Sequence, residues 1–148
     1  MRVTKRTSIA MRLLMYCATN DSRLVTKAEI AQCCDVSENH LAQVINQLGR
    51  LGYLDTQRGR NGGIRLGRAP EKIGIGQVFR DVEGCVSPEN CVADADCSCR
   101  FVAVCALRGV LEEATHAFYN HLDNYTLASV MRDNPAMAQL LQPLRSVA

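Results

Sequence analysis

Residues 26–50 read Thr26-Lys27-Ala28-Glu29-Ile30-Ala31-Gln32-Cys33-Cys34-Asp35-Val36-Ser37-Glu38-Asn39-His40-Leu41-Ala42-Gln43-Val44-Ile45-Asn46-Gln47-Leu48-Gly49-Arg50. Thr26 and Glu29 stand at capping-box spacing: the threonine hydroxyl accepts from the amide three residues on, and the carboxylate reaches back to the Thr26 amide. They open a short helix whose apolar surface is Ala28, Ile30, Ala31 and Cys34. Cys34-Asp35-Val36 makes a tight connection, and Ser37 is placed to cap a further helix. On that helix Leu41, Val44, Ile45 and Leu48 fall at i, i+3, i+4 and i+7 and form one apolar face. The opposite face carries Asn39, Gln43, Asn46, Gln47 and Arg50, side chains suited to base edges and phosphates. A short helix, a turn and a second helix with an amide-rich outer face form a helix-turn-helix.

The flanks extend this reading. Upstream, residues 7–19 predict a first helix, with Ile9, Leu13, Leu14 and Cys17 at helical spacing and Lys5, Arg6 and Arg12 near its start. Downstream, Gly52 ends the second helix of the motif and residues 53–58 alternate as a strand. Gly59-Arg60-Asn61-Gly62-Gly63 is a turn whose glycines accept positive φ, and Ile64-Arg65-Leu66 returns as a second strand. This hairpin is a wing, with Arg58, Arg60 and Arg65 placed to meet phosphates or the minor groove. The candidate DNA-contacting set is therefore Lys5, Arg6, Ser37, Asn39, His40, Gln43, Asn46, Arg50, Arg58, Arg60, Asn61, Gly62, Gly63 and Arg65.

Beyond Pro70, the apolar residues Ile73, Ile75, Val78 and Phe79 predict a short helix under the wing. From about Val102 the residues Val104, Leu107, Leu111, Ala114, Phe118 and Leu122 step by threes and fours, the narrow seam of a dimerisation helix. Thr126 caps a short helix through Met131, and the tail from Pro135 lies back on the body. The expected fold is mainly α with a small β-hairpin: a winged helix-turn-helix over residues 1–80, a cysteine-rich loop over 81–106, and a dimerisation helix with C-terminal helices over 102–148.

Composition agrees with a DNA reader. With 148 residues and 47% hydrophobic content, the chain is no disordered polymer. A net charge of +2 hides an asymmetry: residues 1–80 hold 13 Lys/Arg against 6 Asp/Glu, whereas residues 81–148 hold 4 against 9. A basic first half beside an acidic second half suits a molecule that meets nucleic acid with one half. No apolar run reaches membrane-spanning length, and Arg12 interrupts any signal-peptide core, so a cytoplasmic protein without a membrane partner is expected. The three histidines, His40, His116 and His121, form no legible nucleophile–base pairing, and catalysis is not expected.

Eight cysteines in a reducing compartment are metal ligands or buried apolar residues before they are disulfides. Cys17, Cys33 and Cys34 fall on or beside apolar helix faces and read as inert; Cys85 carries no assigned role. Cys91, Cys97, Cys99 and Cys105 are four thiols within fifteen residues, with five, one and five residues between neighbours. Structural zinc sites use two separated pairs with two to four residues inside each, and iron–sulfur clusters accept wider spacing. Spacing alone leaves both open.

Several stretches together resemble one family. They are Thr4-Lys5-Arg6-Thr7, Ile45-Asn46-Gln47-Leu48, Arg58-Gly59-Arg60-Asn61-Gly62-Gly63-Ile64-Arg65-Leu66-Gly67, three spaced cysteines, and Leu122-Asp123-Asn124-Tyr125-Thr126-Leu127. With them the chain resembles the iron–sulfur winged-helix repressors, the family that includes NsrR, IscR and RirA. The nitric-oxide-sensing NsrR branch is nearest, and the iron-responsive RirA branch is second, on the Thr-Lys opening and Met15-Tyr16-Cys17-Ala18. The resemblance implies a homodimer on a palindromic double-stranded operator, each subunit carrying a 2Fe–2S or 4Fe–4S cluster on three cysteines. Cys91, Cys99 and Cys105 match those positions, with Cys97 as the alternative. A carboxylate that completes the coordination from the partner subunit in NsrR-like proteins is replaced here by Ser8. Nitric oxide is the implied signal. The alternatives are an iron-responsive or cluster-homeostasis regulator and a zinc-stabilised one. A redox protein with a vestigial wing is the reading from another class, and the wing arginines argue against it.

Overall fold

The computed structural model describes residues 3–84, 105–132 and 134–141. Helix α1 (Lys5–Thr19) is the spine. Thr4 caps it, its hydroxyl accepting from the Thr7 amide at 3.4 Å. The helix thus starts two residues before the expected Thr7, because the capping residue precedes the first apolar position. Ala10, Leu13, Leu14 and Tyr16 are fully buried.

Helix α2 (Lys27–Cys34) opens with the expected capping box: the Thr26 hydroxyl accepts from the Glu29 amide at 3.3 Å and Glu29 Oε2 from the Thr26 amide at 2.8 Å. Asp35 then takes φ +51°, a left-handed turn that aspartate tolerates better than most residues. The chain is redirected to Ser37, whose hydroxyl accepts from the His40 amide at the start of α3 (Glu38–Arg50). Leu41, Val44, Ile45 and Leu48 are buried, as their spacing requires. Both α2 and α3 pack on α1.

Strands β1 (Leu54–Gln57) and β2 (Gly63–Leu66) pair antiparallel, with Leu54 opposite Leu66 and Gln57 opposite Gly63. Val25, just before α2, adds a further rung: its amide donates to Ile64 O at 2.9 Å and its carbonyl accepts from the Ile64 amide at 2.8 Å. In the wing tip only Gly59 has positive φ, at +113°. Gly62 and Gly63 serve close approach instead, which corrects the expectation for them. A Cβ on Gly63 would stand 2.8 Å from Leu24 Cβ and 2.9 Å from Val25 O, and one on Gly62 would stand 2.9 Å from the Arg58 carbonyl carbon.

A 3₁₀ turn (Pro70–Lys72) leads into α4 (Ile75–Glu83). This helix packs mainly on α1 and on α5 (Ala106–Asp123). The reason is its apolar content: Ile75, Val78 and Val82 are buried, and Phe79 meets Phe118 edge to face at 6.1 Å. Two backbone bonds fix this junction, Ile75 N to Tyr125 O at 2.9 Å and Leu127 N to Ile73 O at 2.8 Å. On α5, Leu107 and Val110 are 58% and 59% exposed, and Tyr119 is buried. Val102 and Val104 of the expected seam lie outside the described residues. Helix α6 (Leu127–Met131) starts from the Thr126 cap as expected, and α7 (Pro135–Leu140) returns to the body, where Asn20 Nδ2 donates to Leu141 O at 3.1 Å. No helix among the described residues is long and apolar enough to cross a membrane.

Candidate nucleic-acid interface and cysteine site

The polar face of α3 stays in solvent because its opposite face fills the core. Ser37, Asn39, His40, Gln43, Asn46 and Arg50 are all exposed. Gln47 differs: it is half-buried, and its Nε2 donates to Asp81 O at 3.2 Å. Lys5 and Arg6 are exposed at the start of α1. Arg6 joins Gln43, Asn46, Arg50 and Asp81 in lining an open groove of about 530 Å³. Residues distant in sequence thus line one groove, two arginines among them.

In the wing, Arg58, Arg60 and Asn61 are exposed and Gly62 and Gly63 are half-buried. Arg65 faces Asp55 across the hairpin and pairs with it at 2.7 Å, so its charge is shared within the wing. The wing root is held by Arg68, which sequence reasoning missed. Its guanidinium lies 4.5 Å over the Tyr53 ring and donates to Leu51 O at 2.6 Å and Gly52 O at 2.9 Å. Tyr53 is buried, and its hydroxyl donates to Asp81 Oδ2 at 2.6 Å. Burial, then the hydrogen bond to Asp81 and its charge, raise the Tyr53 pKa, so it stays a donor.

Cys91, Cys97 and Cys99 lie outside the described residues, as does Cys85. Cys105 is a half-buried free thiol at the N-cap of α5. The first turn of α5 has no capping side chain and no acidic residue. Its amides and helix dipole therefore favour a negatively charged ligand set at this end. Among the described residues, no three of His, Cys, Asp or Glu gather in a metal-holding group. Ser8 is half-buried in the first turns of α1, its amide donating to Thr4 O at 3.2 Å. Burial first, and then the neighbouring Cys34, push the Cys17 thiol up to about 12. Cys34 is pushed up to about 11, mainly by burial, and burial also raises Cys33. A raised pKa disfavours the thiolate form at all three.

The profile of the Rrf2 family, described as an iron-dependent transcriptional regulator, matches residues 3–133. The chain is 41% identical over 142 residues to the HTH-type transcriptional regulator NsrR of Bacillus licheniformis, covering 95% of this chain and 99% of that one. CymR, the global cysteine regulator of B. subtilis, is similar at TM-score 0.70 and 24% identity, over 88% of this chain and 95% of that chain. T. potens IscR is similar at TM-score 0.69 and 24% identity, over 90% and 88%. These structural likenesses establish the expected fold, a mainly helical winged helix-turn-helix with one hairpin. Regulation of transcription is a non-enzymatic role, and the B. licheniformis relative is named for it. The chain belongs to the Rrf2 family of transcriptional regulators.

Proposed function

We propose that the chain is a homodimeric repressor that binds a palindromic operator and releases it when a bound iron–sulfur cluster meets nitric oxide. The observation that carries the reading is the free polar face of α3, continuous with Arg6 and flanked by the wing, in a chain 41% identical to an NsrR. Residues 1–80 read DNA through the fourteen positions from Lys5 to Arg65 named above, residues 81–106 hold the cluster, and residues 102–148 carry the dimer contacts. Exposed Leu107 and Val110 on one turn of α5 support a second copy as their cover.

Cys91, Cys99 and Cys105 would hold the cluster, with Cys97 as the alternative. Thiolates are the donors such a cluster requires, and the uncapped, acid-free first turn at Cys105 fits an anionic centre. When bound, the cluster supplies iron that reacts with nitric oxide. This chain's own part is to keep two conformations close in energy, so that loss of one ligand set shifts operator occupancy. A change of ~3 kcal/mol in that balance alters occupancy more than a hundredfold.

Anaerobic purification with iron, sulfide and absorbance measurements tests the site. Cys91→Ser, Cys99→Ser and Cys105→Ser should each lose the chromophore, and Cys97→Ser should keep it. A colourless protein holding zinc and no sulfide would contradict the cluster. Ser8 favours a second reading, because a hydroxyl is a poorer iron ligand than a carboxylate. In an iron-responsive regulator, chelating iron abolishes operator binding while nitric oxide leaves it unchanged.

A further inference from the structure

Asp81 on α4 is engaged at three atoms. Its Oδ2 accepts from Tyr53 Oη at 2.6 Å, its Oδ1 from Gln77 Nε2 at 2.8 Å, and its backbone carbonyl from Gln47 Nε2 at 3.2 Å. Gln47 belongs to α3, next to exposed Asn46, and Tyr53 ends the connection from α3 into the wing. One residue therefore touches both the C-terminal half of the recognition helix and the root of the hairpin. The Tyr53 ring is 1% exposed beneath the Arg68 guanidinium, so its hydroxyl has little freedom to find another acceptor.

The rest of α4 holds Asp81 still. Arg80 forks onto the Asp123 carboxylate at the end of α5, at 2.7 and 2.6 Å, and lies 4.5 Å over the Tyr119 ring. Glu83 Oε1 accepts from the Thr4 amide at 2.7 Å, at the start of α1. Three neighbouring positions on one helix thus fasten α5, α1, α3 and the wing to a common frame.

We propose that Asp81 is a positioning residue for operator recognition, setting the pose of α3 relative to the wing through Gln47 and Tyr53. The inference rests on the operator-binding reading above. Base-edge contacts from α3 and wing contacts must fall in register together, whereas phosphate contacts tolerate a shifted pose. Removing the Asp81 carboxylate should therefore cost discrimination before it costs affinity for DNA in general.

The test measures Kd for operator and for random duplex at one fixed salt concentration, by fluorescence anisotropy with full-length anaerobic protein. Asp81→Ala should weaken operator binding at least tenfold and leave random-duplex binding within twofold. Asp81→Asn, which keeps an oxygen acceptor for Tyr53 Oη, should recover most of the loss. Tyr53→Phe, which deletes one hydroxyl and keeps the ring, should show the same selective loss to a smaller degree and covers the case in which Asp81→Ala does not fold. Unchanged discrimination in either variant, or equal loss on both duplexes, overturns the proposal. A wild type that does not distinguish operator from random duplex overturns the operator-binding reading itself, and this inference with it.

Discussion

Gly63→Ala adds one methyl where the second strand of the wing passes the segment leading into α2. The new Cβ would stand 2.8 Å from Leu24 Cβ and 2.9 Å from Val25 O. Carbon–carbon contact wants about 3.5–4.0 Å, and the Val25 oxygen is backbone, so the two segments must part. The parting strains the rung in which Val25 and Ile64 exchange hydrogen bonds of 2.9 and 2.8 Å. Overpacking of this kind costs about 1–3 kcal/mol, and each weakened backbone bond adds about 1 kcal/mol at most. Gly63 is not at positive φ, so alanine's lower unfolded-state entropy returns about 0.4–1 kcal/mol. The net loss is about 2 kcal/mol, which lowers the midpoint of a chain this long by ~4–8 °C. Circular dichroism melts at fixed protein concentration measure it, since a dimer's midpoint depends on concentration. Gly49→Ala is the control: nothing lies within 4 Å of its Cβ, and a helix-interior alanine should raise the midpoint. An unchanged or higher midpoint for Gly63→Ala refutes the close-approach argument.

Thr26→Ala removes the acceptor of the capping box at α2 and should cost about 1 kcal/mol, or ~2–4 °C in the same melts; no change would mean that water replaces the cap. Burial pushes the Glu83 carboxyl up, but hydrogen bonding at the start of α1, where the Thr4 amide donates to Glu83 Oε1 at 2.7 Å, holds it lower on balance. A folded pKa below the unfolded one gives stability that is present above the unfolded value and lost as pH falls through the folded value. Glu83→Gln should thus flatten the loss of midpoint between about pH 5 and about pH 3, and parallel profiles would contradict the assignment. Arg60→Ala removes an exposed wing cation, so operator and random duplex should weaken together and the log–log salt slope should shrink by about 0.9 per lost phosphate contact. An unchanged slope would place Arg60 off the phosphates.

Local chemistry was legible in the sequence. The Thr26–Glu29 box, the Ser37 cap, the Leu41-Val44-Ile45-Leu48 face and the Thr126 cap each involve residues within a turn or two, and each occurs as read. What was missed is long-range. Arg80 and Asp123 are 43 positions apart, Gln47 and Asp81 are 34 apart, and no periodicity announces either contact. Helical spacing puts Gln47 among the free amides of α3; only the position of α4 shows that it is engaged elsewhere. Likewise the expected place of α4 under the wing leaves out its main partner, α5, where Phe79 finds Phe118 and Arg80 finds Tyr119. At Gly62 and Gly63 close approach and not φ excludes a side chain: the hairpin's own backbone at 57–59 crowds Gly62, and Leu24 and Val25 crowd Gly63.

The most direct test of the central claim is operator binding by anaerobic, cluster-loaded protein, followed while nitric oxide is added in steps to the same sample. The cluster absorbance and the bound fraction of operator should fall together, with chelator-treated protein already released at the start. Operator that stays bound after the cluster absorbance has gone would contradict it.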